Sequence, residues 1–378
     1  MFVGGGGAPL AAIALGRNHK EEAEKILGTG VVILTIISVF LTITVFVFKK
    51  PLLYMFGASN STYQYANTYT SIYLLGTLFV QFALGLNLFI TCQGQSTIAM
   101  TSVLIGAITN IILDPILIFG FHLGVSGAAI ATVLSQALSA AFVMHFLISK
   151  KSVIQIKRKC LKMDFEIAKK IVSLGVSSFV MQVTESAILI VFNTGLLRYG
   201  GDIYVGAMTI MQSVMQLVIV PIQGFTQGVQ PIISYNYGAG RFDRVKEVMK
   251  LSLRVTFGTT FCYYVLVLFI PHLFAGVFTP NGELIALVSK LLPIFMGGLW
   301  LFGIQMSAQM FFVGTGQARK SLFIALLRKV FILIPLALLL PHFLGVIGIF
   351  YSEPIADLIS ATTSGVLLFF SLRRLNEL

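Results

Sequence analysis

Ten long apolar runs fill most of the chain, and short polar or charged segments separate them. A helix needs about 20 mostly apolar residues to cross a bilayer, and these runs reach that length. They predict transmembrane helices at 27–48, 67–92, 96–120, 125–149, 168–197, 204–237, 246–270, 285–314, 320–340 and 345–372. Residues 1–16 are apolar but too short to span, so they predict a half-helix.

Short motifs along the chain repeat at a spacing of 222 or 221 residues. The pairs include Gly94-Gln95 with Gly316-Gln317, Asn87 with Gln309, and Leu123-Gly124-Val125 with Leu344-Gly345-Val346. Two membrane halves in tandem are a known transporter layout. We therefore expect an all-α polytopic membrane protein of two pseudo-symmetric six-helix bundles, with domains at 1–149 and 167–378 and a basic cytoplasmic linker at 150–166.

The first half is short at its N-terminus when it is measured against the second. The second half begins its first helix near Ala168, and the counterpart of that position would lie about 55 residues before Met1. The expectation is a first bundle without its first helix and part of its second. About ten full helices and one half-helix then remain. A truncation, a late start codon and a short natural variant all account for this.

Composition and charge exclude several classes of protein. Hydrophobic residues make up 57% of the 378 residues and charged residues 11%, whereas soluble domains average about 25% charged. The net charge of +12 comes from Lys and Arg scattered over short loops, which is a topology signal and not a nucleic-acid stripe. Of the 26 basic residues, 22 fall on one predicted side, and four fall on the other: Lys49, Lys50, Arg198 and Lys290.

That asymmetry predicts a multi-pass plasma-membrane protein with a cytoplasmic C-terminus. The three cysteines are far apart and the five histidines show no ligand spacing, so neither metal nor cofactor is expected. No Walker sequence and no Ser–Lys, Asp–Asp or HExxH arrangement is present, which argues against an ATP-driven pump and against an enzyme. The lipid bilayer is the expected environment, with no obligate protein partner and no nucleic acid.

Three motifs carry a family resemblance: GFTQGVQPIISYNYGAGRFDRV at 224–245, NIILDPILIFGFHLGVSGAAIATVLSQ at 110–136, and YSEPIADLIS at 351–360. Together they resemble the multidrug and toxic compound extrusion (MATE) family, in the same order and over nearly the whole chain. The resemblance implies two six-helix bundles, a central cavity, and export of organic cations coupled to a proton or sodium gradient. Members of the family often carry a carboxylate in their first helix, and the resemblance implies that this helix is absent from the sequence.

Acidic residues in spans are costly, about 2.5–3.5 kcal/mol each on insertion scales, so each needs a reason. Glu185 lies near the middle of the predicted 168–197 helix, and Ser178, Gln182 and Asn193 lie within about 80° of it around the helix. Such a polar stripe indicates a site for a drug cation, sodium or a proton. The alternative is a protonated glutamate that bonds a neighbouring helix.

The next predicted helix carries glutamines on one face. Within about 60° of one another lie Gln212, Gln216, Gln223, Gln227 and Gln230, with Met208, Met211 and Met215 beside the first of them. Glutamine carbonyls and polarisable Met side chains suit varied organic cations. Interhelical hydrogen bonding is the alternative. Gln212, Gln216 and Met215 join Glu185, Gln182 and Asn193 as candidate substrate or cation ligands.

Five further residues complete the candidate set. Asn87 and Gln309 occupy equivalent places in the two halves, and their symmetry predicts that both face the interface between the halves. Asp114 precedes Pro115 and suits a structural hydrogen bond or a coupling role. Glu353 and Asp357 are one helical turn apart, so they are able to share a proton, chelate sodium or stabilise packing.

A secondary-active antiporter of organic cations, working by alternating access between the bundles, is the leading hypothesis. A flippase of lipid-linked substrates is a second, which the scarcity of basic residues within the spans disfavours. A third is a fragment that does not transport. The coupling ion, proton or sodium, is left open by the sequence.

Overall fold

The computed structural model describes residues 2–56 and 59–375, and across them the chain is helical, without β-strands. The helices of the first half are α1 Phe2–Gly16, α2 Lys20–Val47, α3 Lys49–Met55, α4 Tyr63–Leu75, α5 Thr77–Thr91, α6 Ser96–Pro115 and α7 Gly124–Ile148. Those that follow are α8 Phe165–Gly200, α9 Asp202–Gly238, α10 Phe242–Phe269, α11 Pro271–Phe278, α12 Gly282–Phe295, α13 Leu299–Gly314, α14 Ala318–Leu326, α15 Ile334–Leu344 and α16 Val346–Arg374. Two π-helical turns, Ile116–Gly120 and Leu327–Leu333, extend α6 and join α14 to α15.

The predicted all-α membrane fold is confirmed. Within the described ranges, eight helices are long and apolar enough to cross a bilayer, and two bent pairs raise the number to ten. Each of the ten corresponds to one predicted span, and α1 is the predicted half-helix. The chain divides into two compact units, residues 1–175 and 176–378, with the division inside α8.

Two predicted spans, 67–92 and 285–314, are wrong as continuous helices. α4 and α5 meet at 57°, and α12 and α13 meet at 51°. The breaks fall at Gly76 and just before α13 at Gly298, which are 222 residues apart. A Cβ on Gly76 would approach Val133 of α7 to 2.7 Å, and one on Gly298 would overlap Asp357 of α16. Apolar length alone does not reveal these breaks, and at each of them a neighbouring helix lies against the glycine.

The first unit packs α1 against α2, α5 and the start of α8. Gly6 is required there, because a Cβ on it would overlap the carbonyl oxygen of Ile171. Phe89 of α5 and Leu27 of α2 are fully buried in the same core. The glycine run at 4–7 therefore serves close helix packing.

The basic linker is docked on the first unit. The side-chain oxygen of Gln93 accepts hydrogen bonds from the Ser152 hydroxyl at 2.9 Å and the Val153 amide at 2.8 Å. Lys157 forms an ion pair of 2.7 Å with Glu24 of α2, whose side chain is buried. The linker thus belongs structurally with the helices that precede it.

The second unit is built around an aromatic and methionine core. Phe295 of α12, Phe350 of α16 and Met211 of α9 pack together, and all three are buried. α9 runs as one helix through Pro221 and Pro231. This core supports α16, which presents its polar face to the π-helical turn Leu327–Leu333.

Candidate functional site

A buried ionic cluster lies in the second unit, where the π-helical turn meets α16. The guanidinium of Arg328 donates from Nε to Asp357 Oδ1 at 2.7 Å and from Nη2 to Glu353 Oε1 at 2.5 Å. All three side chains are buried within candidate spans. The planar guanidinium suits this task, because its fork of donors reaches two carboxylates at once.

Local packing holds this arrangement in place. The guanidinium of Arg328 lies 5.5 Å from the centre of the Phe302 ring on α13, as in a cation–π contact. Glu353 and Asp357 are one turn apart on α16, so both carboxylates face the same side of that helix. Gly298 lies against Asp357, where the break between α12 and α13 leaves room for the carboxylate.

Lys329 extends the cluster to α8. Its ammonium donates to the carboxylate of Glu185 and, at 2.8 Å, to the carbonyl oxygen of Met181. The side chain of Lys329 is 6% exposed, whereas that of Glu185 is 63% exposed. Glu185 is therefore held on one side by a buried cation and is open on the other.

The charges of the cluster do not balance. Glu185, Glu353 and Asp357 supply three carboxylates against the two cations Arg328 and Lys329. With every group ionised, the net charge is −1. Glu353 Oε2 is buried and has no hydrogen-bond partner within the described chain, and a buried carboxylate oxygen without a partner is costly when ionised. One proton or one monovalent cation would neutralise the site.

The first unit has no such cluster at the equivalent positions. The repeat offset of 221 matches Glu353 with Thr132 and Asp357 with Gln136. Offsets of 222 and 221 match Arg328 with Gly106 and Ala107, respectively. At this place α6 and α7 pack through small side chains, with Ser139 close to Gly106. The helix pair therefore folds without charges, and packing alone does not explain the charged residues of the second unit.

The structure joins Glu185, Glu353 and Asp357, which the sequence suggested separately, through the two basic residues between them. Gln182 is exposed on α8 and Asn193 is half-buried on the same helix. No hydrogen bond connects either of these side chains to the cluster in the described part of the chain. Their roles stay predictions.

The glutamine face of α9 lies away from the core of the second unit. Gln216 is exposed and Gln212 and Met215 are half-buried, whereas Met211 and Val214 are buried against the core. The glutamine side of α9 is thus less buried than the side that carries Met211 and Val214. Its use as a binding surface stays a prediction.

Asn87 and Gln309 make equivalent contacts inside their own units. Asn87 Nδ2 donates to the Ala99 carbonyl oxygen at 2.8 Å, and Gln309 Nε2 donates to the Ser321 hydroxyl at 2.8 Å. Ala99 and Ser321 are themselves 222 residues apart. Both amide nitrogens therefore join neighbouring helices within a bundle, which is a structural use of these two candidates.

Asp114 accepts a hydrogen bond of 3.2 Å from Asn110 Nδ2, one turn earlier on α6. The π-helical turn Ile116–Gly120 begins directly after Pro115. This local contact beside the irregular helix end is of the kind expected if Asp114 makes a structural hydrogen bond. A coupling role for Asp114 stays a prediction.

Sequence reasoning missed Arg328 and Lys329. The topology prediction counts both with the 22 basic residues of the cytoplasmic side, although they fall inside the predicted 320–340 helix; in the structure they lie within the span Ala318–Leu344 and are buried. Two buried basic residues in one span therefore weaken the scarcity argument against a lipid flippase. Their position in the sequence is the signal that could have identified them. Both come about ten residues after the helix begins, and apolar residues flank them.

Comparison with known proteins decides the family. The MatE family model matches residues 1–116 and 177–339, which together make up most of the chain. The chain belongs to the MatE family. MatE proteins are membrane transporters, so this chain is a transporter and not an enzyme.

Curated relatives agree with this MatE assignment, and a solved structure shares the fold. The Multidrug export protein MepA of Staphylococcus aureus (strain MSSA476) is 29% identical over 87% of this chain and 72% of its own length. MepA of Staphylococcus saprophyticus is 27% identical over 92% and 75%. A crystal structure of MATE in the bent conformation matches the fold with a TM-score of 0.94 at 23% identity, covering 100% of this chain and 84% of that one.

Proposed function

We propose that this MatE transporter exports varied small organic cations across the plasma membrane in exchange for protons, and that the ionic cluster couples the two. The related MepA proteins bear the name of multidrug export proteins, which supports the export of drugs. The observation that carries the proposal is the unbalanced charge of the cluster, three carboxylates against two cations.

Charge neutrality supplies the coupling. The buried charges of the cluster balance, two cations against two carboxylates, and the excess negative charge falls on Glu185, the open member, which attracts one further positive charge. A proton and a monovalent organic cation satisfy this need equally, and both together would leave an excess positive charge. Binding of one therefore disfavours the other, which is the requirement for exchange.

Two carboxylates divide the work in this proposal. Glu185 is the open group, and a cargo cation reaches it by displacing the ammonium of Lys329. Glu353 carries the proton, because Oε2 is the buried carboxylate oxygen of the cluster without a partner in the described chain. Arg328 links the two through Lys329 and keeps Glu353 and Asp357 in place.

A proton suits the cluster better than sodium. Hard metal cations are held by several oxygen ligands at once, and each of the three carboxylates here already has one oxygen bonded to Arg328 or Lys329. One free buried oxygen is enough for a proton. The charge balance also favours cationic over anionic cargo, because both buried bases are already paired with carboxylates.

Transport by the purified chain in proteoliposomes tests the proposal. We expect an imposed proton gradient to drive ethidium in the direction opposite to proton flow. An imposed sodium gradient should drive no ethidium transport. Glu353→Gln should abolish the proton dependence, since its amide oxygen still accepts from Arg328 but takes up no proton. Glu283→Gln, an exposed acid at the start of α12, is the matched control and should transport normally.

Each other outcome is informative. Transport driven only by sodium would overturn proton coupling. Normal proton dependence in Glu353→Gln would remove Glu353 from the mechanism. Folded protein that moves no ethidium under either gradient would refute the proposed function itself.

A further inference from the structure

A second candidate site lies in the second unit, on residues that do not belong to the ionic cluster. It is an apolar groove of about 430 Å³ between α10, α13 and α16, lined by Arg254, Phe257, Ile304, Gly365, Phe369 and Leu372. Gly365 has no side chain to fill this groove. A Cβ built on it would meet only the Ile304 side chain, at 3.5 Å. We propose that the groove binds one acyl chain of an anionic phospholipid whose phosphate contacts Arg254.

The charge of Arg254 is the first reason. It is exposed on α10 within a candidate span, and no carboxylate of the described chain lies within ion-pair distance of it. An arginine in a span requires a counter-charge or access to the lipid head groups. The phosphate of a lipid supplies both, and guanidinium is well suited to bind it.

The depth of Arg254 is the second reason. Lys250 is one turn earlier on α10, and Arg244 and Lys246 come before it, so Arg254 follows the basic end of the helix. Helical side chains lean toward the N-terminus of their helix, and arginine extends its charged head toward the interface. The guanidinium therefore reaches toward the head groups while the groove below it remains apolar.

The far wall of the groove ends in further positive charge. α16 runs past Phe369 and Leu372 to Arg373 and Arg374, and the guanidinium of Arg373 lies 4.8 Å from the centre of the Phe369 ring. The groove thus has apolar walls and basic residues at one end. That combination matches a lipid with a net negative head group, which basic residues near a membrane surface attract. Under the predicted topology this end faces the cytoplasmic leaflet.

The occupant must satisfy both parts of the site. A soluble anion would use Arg254 but leave the groove empty, and a neutral lipid would use the groove with less attraction at its mouth. An anionic phospholipid uses both. The proposal does not rely on the coupling mechanism, because none of the groove residues belongs to the ionic cluster.

Native mass spectrometry of the full chain released from nanodiscs tests this inference. We expect phosphatidylglycerol to be retained at least about fivefold more than phosphatidylcholine, the ratio expected for about one basic residue near the surface. Arg254→Gln should remove that preference. Arg244→Gln, an exposed position on the same helix outside the groove, should keep it.

A second variant tests the acyl chain. Gly365→Leu fills the groove and leaves Arg254 in place, so it should lower retention of both lipids, with folding checked by thermal unfolding. Equal retention of the two lipids by the unmodified protein, or an unchanged preference in Arg254→Gln, would overturn the proposal. Retention of a second copy of the chain in place of lipid would also overturn it.

Discussion

Arg328 and Lys329 are neighbours in sequence, yet they bind carboxylates on different helices. Arg328 pairs with Glu353 and Asp357 on α16, and Lys329 pairs with Glu185 on α8. Successive helical residues point about 100° apart, so a doublet on one helix is able to reach two neighbours. The doublet therefore ties the helix that carries it to α8 and α16 by charge.

Loss of Arg328 should unfold the second unit more readily than loss of any other member of the cluster. Arg328→Gln leaves Glu353 and Asp357 buried together without their cation, and removal of one partner from a buried ion pair costs about 3–5 kcal/mol. Thermal unfolding in detergent measures the effect. Arg328→Lys should recover only part of the stability, because one ammonium does not reproduce the fork geometry. Equal stability of Arg328→Gln and the unmodified chain would contradict this account.

Glu185→Gln should remove coupled export and leave the fold intact. The side chain of Glu185 is mostly exposed, and a glutamine oxygen is still able to accept from Lys329. Ethidium efflux in proteoliposomes should fall to background, while the unfolding temperature stays close to that of the unmodified chain. Ser186→Ala changes the neighbouring exposed residue and should transport normally. Full export by Glu185→Gln would show that the cargo site lies elsewhere.

The sequence predicted the elements of this fold better than the site. Apolar length located all ten spans, and the cost of buried acids singled out Glu185, Glu353 and Asp357. The same cost applies to buried bases, but the topology count treats Arg328 and Lys329 as charges of the cytoplasmic side although both lie inside the predicted 320–340 helix. Hydropathy also does not distinguish a straight span from a bent one. At the second break, Gly298 lies against Asp357, which is 59 positions away in the chain and which hydropathy does not connect with it.

Gly298→Ala should destabilise the second unit. Its methyl group would overlap the side chain of Asp357, and overpacking of this kind typically costs about 1–3 kcal/mol. Gly258→Ala is the matched control, because open space surrounds that glycine within α10. The control should be neutral or more stable by up to about 1 kcal/mol, since alanine is the better helix former. A Gly298→Ala protein that unfolds at the same temperature as the control would count against the tight contact with α16.

The contact between Glu24 and Lys157 should hold the linker on the first unit. The hydrogen bond to Glu24 raises the pKa of Lys157 above its ordinary value of 10.5. A raised pKa means that the contribution to stability is complete below 10.5 and is lost as the pH rises through the folded-state value. Glu24→Gln should therefore speed tryptic cleavage of the linker at neutral pH. Glu21→Gln changes an exposed acid of the same helix that attracts Lys157 without a hydrogen bond, so its effect should be clearly smaller. Identical cleavage rates for the two variants would show that the ion pair does not hold the linker.

Lys329→Gln should strengthen cargo binding while it slows exchange. The change removes the ammonium that occupies the carboxylate of Glu185 and takes the net charge of the cluster from −1 to −2. A cargo cation then meets an unoccupied carboxylate, and we expect ethidium to bind about tenfold more tightly, a difference of 1.4 kcal/mol. Release should become slower for the same reason, because one proton no longer restores neutrality. Ethidium binding by fluorescence polarisation and efflux in proteoliposomes measure the two effects, with exposed Lys290→Gln as the control. If Lys329→Gln binds ethidium no better than this control, Lys329 does not compete with cargo for Glu185, and the displacement step is wrong.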